Sequence, residues 1–260
     1  MTKVLITGGA GYLGARISEH LAMDGFAITV LDRSIPKDNS DWSLLMDNII
    51  SGDIQDMDVL TEICGETYDV AINMISLDHI HSETTPARAS SINVLPTWNL
   101  LELLRKDRLK MFINISTIQV YGEVPSINVT ENHSRFPQNY YGLTHMMAED
   151  VCNYFNRKTN ISCINVRLSN AYGSPVNEES SSWSLVINDL CQMAFKNHEI
   201  KLQSNGSPLR DFIHNSDVCH AIELIMNSPK LDKLGNTFNI SSSRTLTIFE
   251  LATLVQKIYE

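Results

Sequence analysis

The segment Thr7-Gly8-Gly9-Ala10-Gly11-Tyr12-Leu13-Gly14 follows directly on the apolar run Lys3–Thr7 and opens an amphipathic stretch over residues 12–23. It satisfies G-x-G-x-x-G through Gly9, Gly11 and Gly14, and G-x-x-G-x-x-G through Gly8, Gly11 and Gly14. A glycine turn in this place restricts the fold sharply: a strand must end, reverse tightly and feed a helix that packs back on it. Gly25 stands where a C′ residue closes that helix, and the next apolar run, Ala27–Asp32, ends in a carboxylate.

The same alternation continues along the chain. Apolar runs at 49–51, 70–74, 111–116 and 162–167 predict buried strands, and amphipathic patterns at 57–64, 87–105 and 140–158 predict helices between them, with Pro86 placed to begin one. Strand–helix alternation of this kind requires a parallel sheet covered on both faces, a Rossmann-like doubly wound α/β fold. Near Gly173 the rhythm changes. Residues 173–182 have a loop composition, and beyond them shorter elements are expected at 183–196, 200–203, 210–214, 218–226 and 237–240, before a last helix over 248–259. The expected division is therefore a doubly wound domain carrying the glycine turn over residues 1–172 and a small C-terminal α/β lobe over 173–260.

Composition narrows the possible partners. Of 260 residues 43% are hydrophobic, enough for a sizeable core, and 20 basic against 30 acidic residues give a formal charge of −10. No basic patch offsets that charge, which argues against nucleic acid. No apolar run approaches the roughly 20 residues that cross a bilayer, so a cytoplasmic protein without a membrane partner is expected. Five widely spaced cysteines without a C-x-x-C pair predict reduced, mostly buried thiols. Asp78-His79-Ile80-His81 lacks further spaced ligands and reads as loop, so no metal site is expected.

The glycine turn carries chemistry because a pyrophosphate needs backbone N–H groups at close range and the positive end of a helix. The backbone from Gly8 through Gly11, Tyr12, Leu13 and Gly14 supplies both. Asp32 can accept from both adenosine ribose hydroxyls, and its charge repels a 2′-phosphate. NAD is thus expected over NADP, although Arg33 adjoins the carboxylate.

Further along, Ile115-Ser116-Thr117-Ile118-Gln119-Val120-Tyr121-Gly122 ends a strand and Asn139-Tyr140-Tyr141-Gly142-Leu143-Thr144-His145 enters a helix. With the glycine turn, these motifs resemble the extended short-chain dehydrogenase/reductase family, specifically its NAD-dependent nucleotide-sugar epimerases and dehydratases. The resemblance implies Thr117 as the catalytic Ser/Thr, Tyr141 as the acid/base tyrosine, Asp53 and Ile54 beside adenine, and Asn93 behind the active site. It also implies that Arg167–Gly173 and Arg210–His214 hold the nucleotide-sugar, with Asn170 and Arg210 on the diphosphate. Related proteins dimerise through a helix pair, and Met146 and Met147 on the Tyr141 helix suit such packing, so a homodimer is expected.

Two positions depart from the family pattern. The residue four after the tyrosine, normally Lys, is His145, and Asn73-Met74-Ile75-Ser76 replaces His-Leu-Ala-Ala. On a helix, positions i and i+4 share a face, so His145 is placed to meet Tyr141 or the nicotinamide ribose. It reads as a substitute whose charge depends on pH, as a sign of lost catalysis, or as an ordinary helix residue. The expected activity is epimerisation or dehydration of a nucleotide-sugar through transient hydride transfer to bound NAD. A degenerate NAD-binding sensor or structural module, or a reductase or decarboxylase on the same scaffold, are the alternatives.

Overall fold

The computed structural model describes residues 1–36, 41–105, 109–123, 128–177, 180–228 and 234–260, so residues 178–179 of the polar stretch at 173–182 lie outside it. Its first half runs β1 (Lys3–Thr7), α1 (Tyr12–Met23), β2 (Ala27–Asp32), α2 (Asp41–Leu44), β3 (Asn48–Ser51), α3 (Met57–Ile63), β4 (Val70–Asn73), α4 (His79–Thr84), α5 (Pro86–Asn93), α6 (Leu95–Leu104) and β5 (Met111–Thr117). A 3-10 turn at Ile118–Tyr121 precedes α7 (Tyr140–Lys158), β6 (Ser162–Leu168) and β7 (Asn170–Tyr172). Then come α8 (Val186–Asn197), β8 (Leu209–His214), α9 (Asn215–Asn227), β9 (Thr237–Ile240), β10 (Thr245–Thr247) and α10 (Ile248–Tyr259).

Seven strands pair in the order β3-β2-β1-β4-β5-β6-β9, every neighbouring pair parallel. The strands read as continuous apolar runs because both faces are covered, and successive residues serve opposite layers. Val4 and Ile6 face one core with Ile17 and Leu21 of α1 and Val218 and Ile222 of α9. Leu5 faces the other with Leu60, Leu100, Leu101 and Phe155. Strand order reverses between β1 and β4, so their C-terminal ends flank the crevice where such sheets bind ligands.

A second sheet, β10-β8-β7, sits with a separate core in which Leu190 and Ala194 of α8 meet Leu251, Ala252 and Val255 of α10. Residues 237–240, expected in the small lobe, instead form β9 and close the large sheet beside β6. The helix expected over 87–105 is two helices. Pro96 has no N–H to continue the ladder, and the chain breaks at Val94. Residues 200–203, expected as a short element of the small lobe, are irregular, with Ile200 and Leu202 packed on the α8–α10 core. Residues 78–81, read as loop, instead open α4: Asp78 caps it, its carboxylate accepting from the His81 N–H at 2.9 Å.

Candidate active site

The glycine turn closes at the end of β1. Gly8 has φ +77°, where an L side chain is strained, and a Cβ there would lie 3.1 Å from Ile75 Cγ1 and 3.2 Å from its nitrogen. A Cβ on Gly14 would collide with the Gly8 carbonyl, so this glycine lets α1 seat against the turn. Gly9 points elsewhere, its Cβ position 2.9 Å from Val30 side-chain carbons in the core. The spacing Gly8–Gly11–Gly14 is therefore the one that shapes the turn, with exposed Gly11 at the mouth. Helix α1 starts at Gly11 without a side-chain cap, which leaves its first N–H groups for an anion.

Asp32 ends β2 with one carboxylate oxygen accepting from the Ala10 N–H at 3.1 Å and the other from the Ser34 N–H at 3.0 Å. The carboxylate thus holds the glycine turn, and each oxygen keeps a lone pair for a ribose hydroxyl. Exposed Arg33 follows it. Ile54 turns its side chain into one core, and half-buried Leu13 packs against the other. Asp53 is half-buried, with its carboxylate accepting from the Gln55 N–H at 2.9 Å. The Tyr12 hydroxyl donates to the Gly173 carbonyl at 2.9 Å and ties α1 to the residue that follows β7. These residues fit NAD: the glycines leave a cradle that a Cβ would fill, an uncapped helix end faces it, and a carboxylate stands at the next strand's end.

Thr117 ends β5, and its hydroxyl oxygen accepts from the Gln119 N–H at 3.2 Å, which leaves its own proton to donate. Helix α7 is capped by Asn139, whose carboxamide oxygen accepts from the Gly142 N–H at 2.7 Å while its amide donates to the Gln119 side chain at 2.8 Å. A Cβ on Gly142 would lie 2.6 Å from the Gln119 carbonyl, so glycine lets α7 press against the turn that follows Thr117. Behind the site, Asn93 accepts from the Leu77 N–H at 2.8 Å and donates to Thr144 at 2.9 Å, joining the loop after β4 to α7.

Tyr141 and His145 stack edge to face on α7, ring centroids 4.5 Å apart. The Ser76 hydroxyl lies 3.1 Å from His145 Nε2, donates at 2.8 Å to the Leu77 carbonyl, and is also a hydrogen-bond partner of the Tyr141 phenol. The two departures from the family pattern, 69 residues apart in sequence, thus meet in space. Burial pushes the Tyr141 phenol up to about 12, against the bond to Ser76 that lowers it and with the charge of Asp78 raising it further. Burial likewise drives His145 down to about 4, although Glu149 and the Ile115 carbonyl pull it up. The sequence allowed a pH-dependent cation near neutrality, whereas the enclosed imidazole is neutral there.

Below His145, Glu149 is fully buried. It takes two bonds from Arg167, at 2.9 and 2.7 Å, one from Ser116 at 2.6 Å and one from Arg135 at 3.2 Å. Arg167 also donates to the Tyr121 hydroxyl at 2.7 Å. Arg167 is thereby a structural pivot rather than a free substrate ligand. Asn170 spends its amide on the Asp211 carbonyl at 2.8 Å, holding β7 to β8, and Arg210 is exposed. Sequence reasoning missed Ser76 as a site residue. Its signal was a hydroxyl at a position where the family pattern has Ala.

Comparison with known proteins agrees with this fold. A putative UDP-glucose 4-epimerase of Methanocaldococcus jannaschii is 28% identical over 255 residues, covering 97% of this chain and 81% of that protein. UDP-glucose 4-epimerase of Halalkalibacterium halodurans is 26% identical over 268 residues, covering 98% and 80%. The crystal structure of Thermotoga maritima UDP-glucose 4-epimerase with UDP-glucose shares the fold at TM-score 0.88 and 24% identity, covering 99% of this chain and 82% of that one. The sequence pattern of the NAD dependent epimerase/dehydratase family matches residues 4–241. With the glycine turn, the Asp32 carboxylate and the Tyr141 helix in place around one crevice, the chain belongs to the NAD-dependent epimerase/dehydratase family, a family of enzymes whose cofactor is NAD.

Proposed function

We propose that the protein epimerises or dehydrates a UDP-linked sugar. The observation that carries this reading is the convergence of the anion-ready start of α1 with the Thr117 and Tyr141 hydroxyls at the C-terminal ends of β1, β4 and β5. The relatives named above act, by their names, on UDP-glucose.

NAD, held by the Gly8–Gly14 turn and Asp32, supplies a reversible hydride acceptor. The chain's own residues manage the proton. Tyr141 is the acid/base group at the sugar hydroxyl, with Thr117 donating to the same oxygen. Ser76 and neutral His145 hold the phenol in place and do not ionise it as a lysine would. Helix N-termini and Arg210 counter the charge of the diphosphate in an acidic protein, with Asn170 beside them on β7. Residues 173–260 contribute most of the substrate lobe, in which β8 and β10 pair with β7 of the preceding segment and β9 returns to the large sheet.

The protein acts in the cytoplasm as a homodimer in this reading. Supporting the dimer, Leu95 and Trp98 of α6 and Leu143, Met147 and Tyr154 of α7 form one exposed apolar face, Trp98 stacking on Tyr154 at 5.5 Å. Supporting the compartment, four of the five cysteines are buried thiols. Among the described residues no helix is long and apolar enough to cross a membrane.

The test mixes NAD-loaded protein with UDP-glucose, UDP-galactose, UDP-N-acetylglucosamine and dTDP-glucose, and follows the absorbance of reduced nicotinamide alongside product analysis. One of these sugars is expected to reduce the bound cofactor transiently. Tight NAD binding with no sugar bound or converted would leave an NAD-binding module instead.

A further inference from the structure

On the face of α1 remote from the glycine turn, three metal-ligating side chains converge that no motif connects. His20 Nε2 lies 3.2 Å from a carboxylate oxygen of Asp24, one turn along α1, and 2.9 Å from a carboxylate oxygen of Glu223 on α9. All three donor atoms fall within 4.8 Å of one another. The ring of His220, one turn before Glu223, meets the His20 ring edge to face at a centroid distance of 4.9 Å.

The arrangement is short of positive charge. Two carboxylates share one imidazole nitrogen, which can donate a single proton. Among the described residues no lysine or arginine reaches either carboxylate. Arg16, the nearby cation on α1, is committed to Glu19 at 2.9 Å and to Ser174 and the Pro175 carbonyl. The last turn of α1 adds the negative end of its dipole at the same place, since Asp24 is that helix's C-cap. An ion pair explains one carboxylate; the second, the dipole and the convergent geometry ask for a divalent cation.

We propose that His20, Asp24 and Glu223 bind a divalent transition-metal ion of the Zn²⁺ class, with water or a rotated His220 completing the shell. One imidazole nitrogen and two carboxylate oxygens suit Zn²⁺, Co²⁺ or Mn²⁺ better than the all-oxygen cages of Ca²⁺ and Mg²⁺. The site is structural: it staples α1 of the cofactor-binding half to α9, which follows β8 of the small sheet. It lies outside the catalytic machinery and stands whether or not the sugar assignment does.

Titration of tag-free protein with Co²⁺, read by visible absorption, and with Zn²⁺, read by calorimetry and thermal melting, tests the proposal. One equivalent is expected to bind. The Co²⁺ spectrum should lack the sulfur charge-transfer band that a cysteine site gives. At a free metal concentration about a hundredfold above Kd, Tm should rise by roughly 5 to 10 °C. Glu223→Gln, which keeps the side-chain shape, and His20→Ala should each weaken binding at least about tenfold while leaving NAD affinity unchanged. The exposed pair Asp78–His81 offers only two donors, so His81→Ala should leave metal affinity as it was. Binding absent in the wild-type protein, or undiminished in both Glu223→Gln and His20→Ala, would overturn the proposal.

Discussion

Replacing His145 with lysine should make Tyr141 easier to ionise and change how the reaction depends on pH. With its phenol near 12, Tyr141 is ionised in about one part in ten thousand at pH 8, a handicap of roughly 5 kcal/mol. The neutral imidazole offers it no charge. An ammonium at the same helical position faces Tyr141 and Ser76, and a neighbouring cation lowers an acidic group by about 1 to 3 units. His145→Lys should therefore recover about 1.4 to 4 kcal/mol, a tenfold to thousandfold gain in tyrosinate at pH 8. The assay measures turnover of a reactive nucleotide-sugar from pH 6 to 10, alongside ultraviolet difference titration of the phenol against a Tyr141→Phe control. The wild-type rate should climb across that range with no inflection near 6.5, whereas the His145→Lys profile should level off at lower pH. An inflection near 6.5 in the wild type, or a phenol titrating identically in both proteins, would refute the account of a neutral, positioning imidazole.

The same burial makes His145 a source of acid sensitivity. Its folded value of about 4 lies below the ordinary 6.5, so the unfolded chain binds the proton first; stability is intact above about 6.5 and lost as pH falls toward 4. Urea melts at pH 7.5 and 5.0 should show the wild type losing about 2 kcal/mol more than His145→Gln, and equal losses would contradict the assignment. Arg167→Met leaves Glu149 buried with its principal partner gone, and should cost about 3 to 5 kcal/mol in thermal or chemical denaturation; a loss below about 1 kcal/mol would mean that Arg135 and Ser116 suffice. Arg210→Ala, at an exposed position, should weaken UDP-sugar binding about tenfold or more and spare NAD, as separate calorimetric titrations of the two ligands would reveal. Calorimetry should also show NAD binding tighter than NADP, reversed only if Arg33 outweighs the Asp32 carboxylate.

The sequence by itself determined the features written in neighbouring residues. The β1–turn–α1–β2 unit is contiguous, its glycines are demanded by local backbone geometry, and Asp32 sits at a strand end that apolar patterning marks. The placement of Tyr141 and His145 on one helical face follows from 3.6-residue periodicity alone. Tertiary structure decided whatever depends on which distant segments meet. The choice of Gly8 over Gly9 as the strained glycine emerges only when β4 and its Met74–Ile75 extension lie against the turn. The return of β9 to the large sheet depends on pairing with β6, for which four residues carry no distinctive pattern. The contact of Ser76 with His145 joins two departures that stand 69 residues apart in the sequence. Protonation states belong to the same class, because a phenol near 12 and an imidazole near 4 are consequences of desolvation, and desolvation is a property of the enclosing fold rather than of the residue or its sequence neighbours.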